Sequence, residues 1–114
     1  MDKLLEITLL YDFYGELLTD KQKSVMELYY LNDLSLNEIA GEHGITRQAV
    51  LDMIKRTEKL LNQYEQKLGL VSKYLEQKAK LERITDKLNG IIKENGLNIK
   101  ELDALTGELS QILD

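Results

Sequence analysis

The amino-acid sequence predicts an all-α protein, on three observations. None of the 114 residues is proline, the residue that breaks helices most strongly. Leu, Lys and Glu, which lose little conformational freedom in a helix, are abundant, whereas Val is rare. Apolar residues also recur at spacings of three and four along most of the chain, the period of an amphipathic helix. The length predicts one domain, composed of a helical unit at 1–68 and a helical extension at 69–114.

Two helices are predicted before residue 32. The first has an apolar face formed by Leu4, Ile7, Tyr11, Tyr14 and Leu18. Gly15 weakens its last turn. The second should run from about Asp20 to Leu31, because Thr19 and Gln22 have the spacing of a capping box, in which each side chain satisfies the other residue's free backbone N–H. Its predicted buried residues are Val25, Leu28 and Tyr29, which leave Tyr30 off the apolar face.

The third helix has the strongest local start signal in the chain. Ser35 and Glu38 form a second capping box, and Leu34 and Ile39 stand at the two positions of a hydrophobic staple. The helix should end at Gly44, because glycine adopts the left-handed conformation at little cost. Thr46 then caps a fourth helix that extends to about Leu68 along an apolar face of Val50, Ile54, Thr57, Leu61 and Tyr64.

The third and fourth helices together predict a helix-turn-helix at about 35–68. Two helices that cross steeply need a small residue at the crossing, a glycine in the turn and apolar side chains on the inner face of the second helix. Ala40, Gly44, Ile45, Val50 and Met53 supply these. An ordinary αα-hairpin within a bundle is the alternative.

The extension is predicted to contain two more helices. The first carries Val71, Tyr74, Leu75, Leu81, Ile84, Leu88 and Ile91, with interruptions at Lys78 and Asn89-Gly90, and ends at Asn95-Gly96. The second begins with a capping box of Asn98 and Glu101 and a staple of Leu97 and Leu102. Its apolar spacing resembles a coiled coil but is shorter than two heptads, so it must pack on its own chain or on a second copy. We therefore expect this region to support a homodimer.

Charge is distributed unevenly along the chain. The net charge of -5 argues against a general nucleic-acid coat, which would need clustered Lys and Arg. Residues 1–18 and 91–114 each carry -3, whereas 44–61 and 69–90 each carry +2. An anionic partner would therefore meet the centre of the chain.

The fourth helix supplies the candidate binding residues. In a helix-turn-helix its first turn faces the major groove, so Thr46, Arg47 and Gln48 are predicted to touch base edges or phosphates; Arg prefers guanine and Gln adenine. Lys55, Arg56 and Lys59 would lie nearer the backbone and position the protein without specifying a sequence. For each of these residues the alternative is an ordinary solvated helix face.

These residues carry two resemblances. The block "LTDKQKSVMELYYLNDLSLNEIAGEHGITRQAVLDMIKRTEKLL", residues 18–61, resembles region 4 of bacterial sigma factors, a promoter-binding helix-turn-helix. With "YDFYGELLTDKQ" before it and "NQYEQKLGL" after it, the stretch from 11 to 70 is similar to the YlxM family of small helix-turn-helix proteins, whose genes lie beside those of the signal recognition particle GTPase and its receptor. The resemblance implies a regulatory role in or near that pathway.

Two positions depart from a promoter-binding helix. Leu51 and Asp52 follow "RQAV", where such helices tend to have Ser, Arg or Lys. An acid repels phosphates and accepts hydrogen bonds mainly from cytosine, and an exposed leucine suits a protein surface better than a groove. Two partners therefore stay open: DNA or structured RNA, or the signal recognition particle GTPase docking on Leu51 and Asp52.

The sequence contains no catalytic constellation that holds, so we expect no enzymatic activity, metal or cofactor. His43 is the only histidine and there is no cysteine, which excludes a two-histidine or thiolate metal site; packing or hydration is the expected role of His43. Glu38 and Glu42 are one helical turn apart but lack further converging ligands. The apolar runs are too short and too charged for a membrane span, and the lack of cysteine fits a cytoplasmic protein.

Overall fold

The computed structural model describes residues 2–94 and 99–113, and within them the chain is helical without a β-strand. Six α-helices follow one another: α1 (Lys3–Tyr14), α2 (Asp20–Met26), α3 (Leu36–His43), α4 (Arg47–Leu68), α5 (Leu70–Lys93) and α6 (Ile99–Leu113). A short 3₁₀ turn (Gly15–Leu17) follows α1, and a π-helical segment (Glu27–Leu31) follows α2. The chain forms two compact units, 1–71 and 72–114. The all-α prediction is confirmed.

The first unit has a core drawn from all its helices. Its fully enclosed side chains include Tyr14, Val25, Met26, Ile39, Val50 and Leu61. On α1 the buried residues are Ile7, Leu10 and Tyr14, with Leu18 just beyond the 3₁₀ turn. The predicted contribution of Leu4 is wrong, since more than half of its surface is exposed. The buried face of α1 is therefore rotated by part of a turn from the predicted face, and Leu10 takes the place of Leu4 in the core.

The second predicted helix changes pitch halfway along. The Thr19 capping box is present, and Val25 is buried as expected. The α-helix ends at Met26, however, and the predicted continuation to Leu31 is a π-helical segment closed by a bond from the Asn32 N–H to the Glu27 carbonyl at 2.9 Å. Leu28 and Tyr29 are only half-buried. Tyr30, predicted to lie off the apolar face, is half-buried and its hydroxyl donates to the Glu58 carboxylate.

The helix-turn-helix forms as predicted. Both halves of the Ser35–Glu38 capping box are made, and these hydrogen bonds from Ser35 hold the pKa of Glu38 below its ordinary value. Gly44 ends α3 with φ +64°, and the Ile45 N–H donates to the Ala40 carbonyl at 3.1 Å. Thr46 caps α4, whose residues Val50, Ile54, Thr57 and Leu61 are buried. Met53, predicted on the inner face, is only half-buried.

A hydrogen-bond network secures the end of α4. Gly69 adopts φ +64° and turns the chain into α5. The hydroxyl of Tyr14 donates to Glu65 at 2.6 Å and accepts the Leu70 N–H at 3.0 Å, and Glu65 accepts the Val71 N–H at 3.0 Å. Buried Tyr14 and half-buried Glu65 thus satisfy two free backbone N–H groups at the start of α5.

The second unit contains most of α5 and all of α6. Among its described residues only Ile84 and Leu105 are buried. Lys87 pairs with Glu108 at 2.6 Å, and the Gln77 side-chain amide donates to the Ile112 carbonyl at 3.3 Å. The predicted interruptions at Lys78 and Asn89-Gly90 do not break α5. The predicted end at Asn95-Gly96, the Asn98 cap and the Leu97 staple lie outside the described residues.

Candidate nucleic-acid interface

One side of α4 is left open by the packing of the first unit. Because Val50, Ile54 and Leu61 face the core, residues half a turn away face outward. Gln48, Lys55 and Lys59 share that outward side and are exposed. The outer side of the second helix of the helix-turn-helix therefore carries two cations and one amide.

The first turn of α4 presents two more predicted residues. The Thr46 Oγ1 accepts the Ala49 N–H at 3.1 Å, which leaves its hydroxyl proton free to donate to an acceptor outside the protein. Arg47, at the first helical position, is exposed. Thr46, Arg47 and Gln48 are thus adjacent at the surface, at the end of the helix that a helix-turn-helix directs to the groove.

The predicted cations are not engaged elsewhere. In the described part of the chain, Arg47, Lys55, Arg56 and Lys59 make no ion pair or hydrogen bond. Lys3, Lys23 and Lys87, in contrast, each contact a carboxylate. Four exposed, uncommitted cations on one helix form a surface suited to phosphate oxygens.

Gln48 and Asp52 form a pair. The Gln48 side-chain N–H donates to the Asp52 Oδ1 at 3.0 Å, one turn along the helix. This bond orients the Gln48 amide and leaves one N–H and the carbonyl oxygen for a base. Asp52 therefore supports a neighbour, a role that its charge alone did not indicate.

The two positions assigned to a protein partner are less exposed than predicted. Leu51 and Asp52 are both half-buried. Leu51 therefore offers only part of its side chain to a docking surface. Its neighbours on the folded chain, which sequence spacing does not specify, reduce its exposure.

A groove of about 390 Å³ lies between α2 and α4, beside the outward side of α4. Its lining includes Lys21 and Gln22 of α2 and Asp52, Met53 and Arg56 of α4. Sequence reasoning identified Arg56 but missed Lys21, which joins it only because α2 packs against α4. The only sequence signal was the unpaired charge of Lys21 just after the Thr19 cap. We call this site the α2–α4 groove.

The structure gives no support for metal chemistry in its described part. His43 lies 3.1 Å from the Ser24 hydroxyl through Nε2, a contact between α3 and α2 that agrees with a packing role. Among the described residues no three potential metal ligands converge. In the same residues none of the helices has both the length and the apolar character needed to cross a bilayer.

Comparison with known proteins gives consistent matches along the chain. A family model described as helix-turn-helix protein, YlxM / p13 like, matches residues 1–101. A UPF0122 protein of Geobacillus kaustophilus is 46% identical over 108 residues, which cover 92% of this chain and 98% of the relative. A UPF0122 protein of Desulforamulus reducens is 45% identical over all of this chain and 96% of its own. The UPF0122 protein YlxM of Bacillus subtilis is 45% identical over 98% and 97% of the two chains.

Proposed function

Because the chain belongs to the UPF0122 family of YlxM / p13-like helix-turn-helix proteins, we propose that it is a non-enzymatic regulatory protein that binds DNA through α4. The observation that carries this proposal is the set of four exposed and uncommitted cations on α4, of which Lys55 and Lys59 share the outward side with the oriented Gln48. The protein would act in the cytoplasm, where its DNA is.

The proposed role of each binding residue depends on its position along α4. Arg47 and Gln48, in the first turn, would contact base edges, where Arg pairs with guanine and Gln with adenine. Thr46 would donate its free hydroxyl proton to a phosphate or a base acceptor. Lys55, Arg56 and Lys59 would lie along the phosphate backbone and fix the orientation of the helix. Affinity would then come from the lysines and Arg56, and sequence preference from the first turn.

The test is the salt dependence of binding to duplex DNA. Replacing Lys55 and Arg56 by Ala removes two phosphate contacts. Log K should then fall less steeply with log salt, by about 2 in slope, uniformly across DNA sequences. A double Ala variant of Lys78 and Arg83 in α5 removes the same charge as a control and should bind as the unchanged protein does. Equal losses in the two variants, or no DNA binding at all, would overturn the proposal.

A role in or near the signal recognition particle pathway is the more specific part of the proposal, supported by the family resemblance. In the second candidate function the protein modulates the particle's GTPase or RNA through Leu51 and Asp52. The observation that favours it is the acid and the apolar side chain set among the cations. Pull-down from cytoplasmic extract, with and without nuclease, separates the two. Partners that survive nuclease and are lost in Leu51→Asp would favour the modulator; retention that disappears with nuclease would favour nucleic acid.

We also propose that the second unit supports a homodimer. Leu81 of α5 and Leu102 and Leu109 of α6 are 45%, 42% and 38% exposed. Leu102 and Leu109 are two turns apart on one side of α6, and apolar side chains on one side of a helix are stabilised by a partner. Sedimentation equilibrium at micromolar concentration should give a dimer mass, and Leu102→Glu with Leu109→Glu should give a monomer. A monomer mass for the unchanged protein would refute the dimer.

A further inference from the structure

The two sides of α4 that flank its outward residues differ in charge and in occupancy. On one side Glu58 is half-buried, accepts the Tyr30 hydroxyl and pairs with Lys3 at 3.5 Å. The carboxylate on that side is therefore already bonded within the protein. On the other side Arg56 opens into the α2–α4 groove, together with Lys21. A polyanion that lies along α4 would meet an ion pair that is already made on the first side and two uncommitted cations on the second.

The α2–α4 groove has the charge and the space for an anion. Lys21 and Arg56 are exposed and make no ion pair or hydrogen bond in the described chain. The one carboxylate in the lining, Asp52, accepts a hydrogen bond from Gln48. Two cations against one acid leave the groove net positive. Its volume of about 390 Å³ equals that of roughly a dozen water molecules, ample for a phosphate group and its hydration.

We propose that the α2–α4 groove binds a backbone phosphodiester of nucleic acid, with Lys21 and Arg56 as the donors. This inference rests on the proposed function and assigns Lys21, on a different helix from the base-contacting residues, a binding role. The backbone then runs along the Arg56 side of α4 and avoids the Glu58 side. Arg56 supplies the planar guanidinium and Lys21 a flexible ammonium, which together hold one phosphate from two helices.

The chain offers a matched pair of lysines on α2 for the test. Lys21 is free and lies in the groove, whereas Lys23, two residues on, pairs with Glu16 at 3.2 Å. Lys21→Ala and Lys23→Ala therefore remove the same charge from the same helix. Their binding to duplex DNA and to a structured RNA is measured over a salt series, with thermal melting to confirm that both variants fold.

In the expected result, Lys21→Ala makes log K fall less steeply with log salt, by up to about 0.9 in slope because Arg56 still contacts the phosphate, and Lys23→Ala leaves the slope unchanged. The nucleic acid on which the slope changes identifies the source of the phosphate. If the unchanged protein binds and Lys21→Ala keeps its slope, or both variants lose equally, the groove proposal fails and the proposed function stands. If the unchanged protein binds neither nucleic acid, both fail.

Discussion

The two units of the chain bury the apolar faces of their helices to different degrees. The first unit encloses large side chains from α1, α2, α3 and α4, and caps α2 and α3 with complete capping boxes. The described part of the second unit buries only Ile84 and Leu105 and leaves leucines on both of its helices exposed. The first unit therefore has the properties of a rigid scaffold that can hold binding residues in place. The second has the properties of a surface that gains stability from a partner.

The same substitution in the two units gives the largest predicted contrast. Leu61 is fully buried on α4, and Leu105 is 6% exposed on α6. Leu61→Ala should lower the free energy of unfolding of the first unit by about 2–5 kcal/mol, because a closed core cannot collapse onto the cavity. Leu105→Ala should lower the free energy of unfolding of the second unit by about 2 kcal/mol or less, because the more open surroundings of Leu105 can move into the cavity. Urea denaturation, with amide hydrogen exchange to resolve the units, measures both.

Leu68→Ala is the control for this contrast, since Leu68 lies on α4 as Leu61 does but is 55% exposed. It should change the free energy of unfolding by less than about 0.5 kcal/mol. If Leu105→Ala lowers the hydrogen-exchange protection of α6 as much as Leu61→Ala lowers that of α4, the second unit is as tightly packed as the first. The comparison between the units would then not hold.

The features of the fold that sequence predicted are local ones. The Thr19 and Ser35 capping boxes, the Thr46 cap and the left-handed Gly44 each depend on residues a few positions apart, and all are present. The π-helical segment was missed because no local signal demands it. It places Tyr30 against Glu58 of α4, twenty-eight positions away, so the change of pitch accompanies a tertiary contact that periodicity does not encode.

The residues of the candidate interface also divide into those that local sequence predicted and those that depend on tertiary packing. Exposure of Arg47, Gln48, Lys55 and Lys59 followed from knowing which side of α4 is apolar. The Gln48–Asp52 bond has the spacing of one helical turn and was within reach of sequence reasoning, but Asp52 was considered only for its effect on an external partner. Lys21 was out of reach, because its place beside Arg56 depends on how α2 packs on α4.

Tyr14→Phe tests the point where the first unit ends. The Tyr14 hydroxyl donates to Glu65 and accepts the Leu70 N–H, so its removal takes this acceptor from the Leu70 N–H and one of the donors from Glu65 in a part-buried site. The free energy of unfolding should fall by about 1–3 kcal/mol, and the Leu70 amide should exchange faster. Tyr64→Phe is the control, because Tyr64 packs 6.0 Å from the Tyr14 ring without a hydrogen bond of its own in the described chain. Equal effects would mean that the loss comes from removing a hydroxyl at either ring and not from the hydrogen bonds to Glu65 and Leu70.

Thr57→Val tests whether an unsatisfied hydroxyl in the core of the first unit lowers its stability. Thr57 is fully buried, and its hydroxyl has no hydrogen-bond partner. Valine keeps the branched shape and removes the unsatisfied group, so the free energy of unfolding should rise by about 1 kcal/mol. Thr57→Ser keeps the hydroxyl and loses a methyl group, and should lower it. A valine variant less stable than the unchanged protein would show that the hydroxyl is bonded in solution.

Alkaline titration should give the smallest effect, again in the first unit. Partial burial and the hydrogen bond to the Glu27 carboxylate raise the pKa of Tyr11 from 10.0 to about 12. Since the folded state holds this proton more tightly than the unfolded state, the stabilisation is complete below pH 10 and is lost as pH rises through about 12. Between these values Tyr11→Phe should lose stability less steeply than the unchanged protein, measured by urea denaturation at stepped pH. Because Tyr11 and Glu27 are not deeply buried, solvent screening keeps the difference small. Parallel curves for the two proteins would mean that the Tyr11 proton is held no more tightly in the folded state, leaving the alkaline loss to buried Tyr14 and half-buried Tyr30, whose pKa values are also raised by burial.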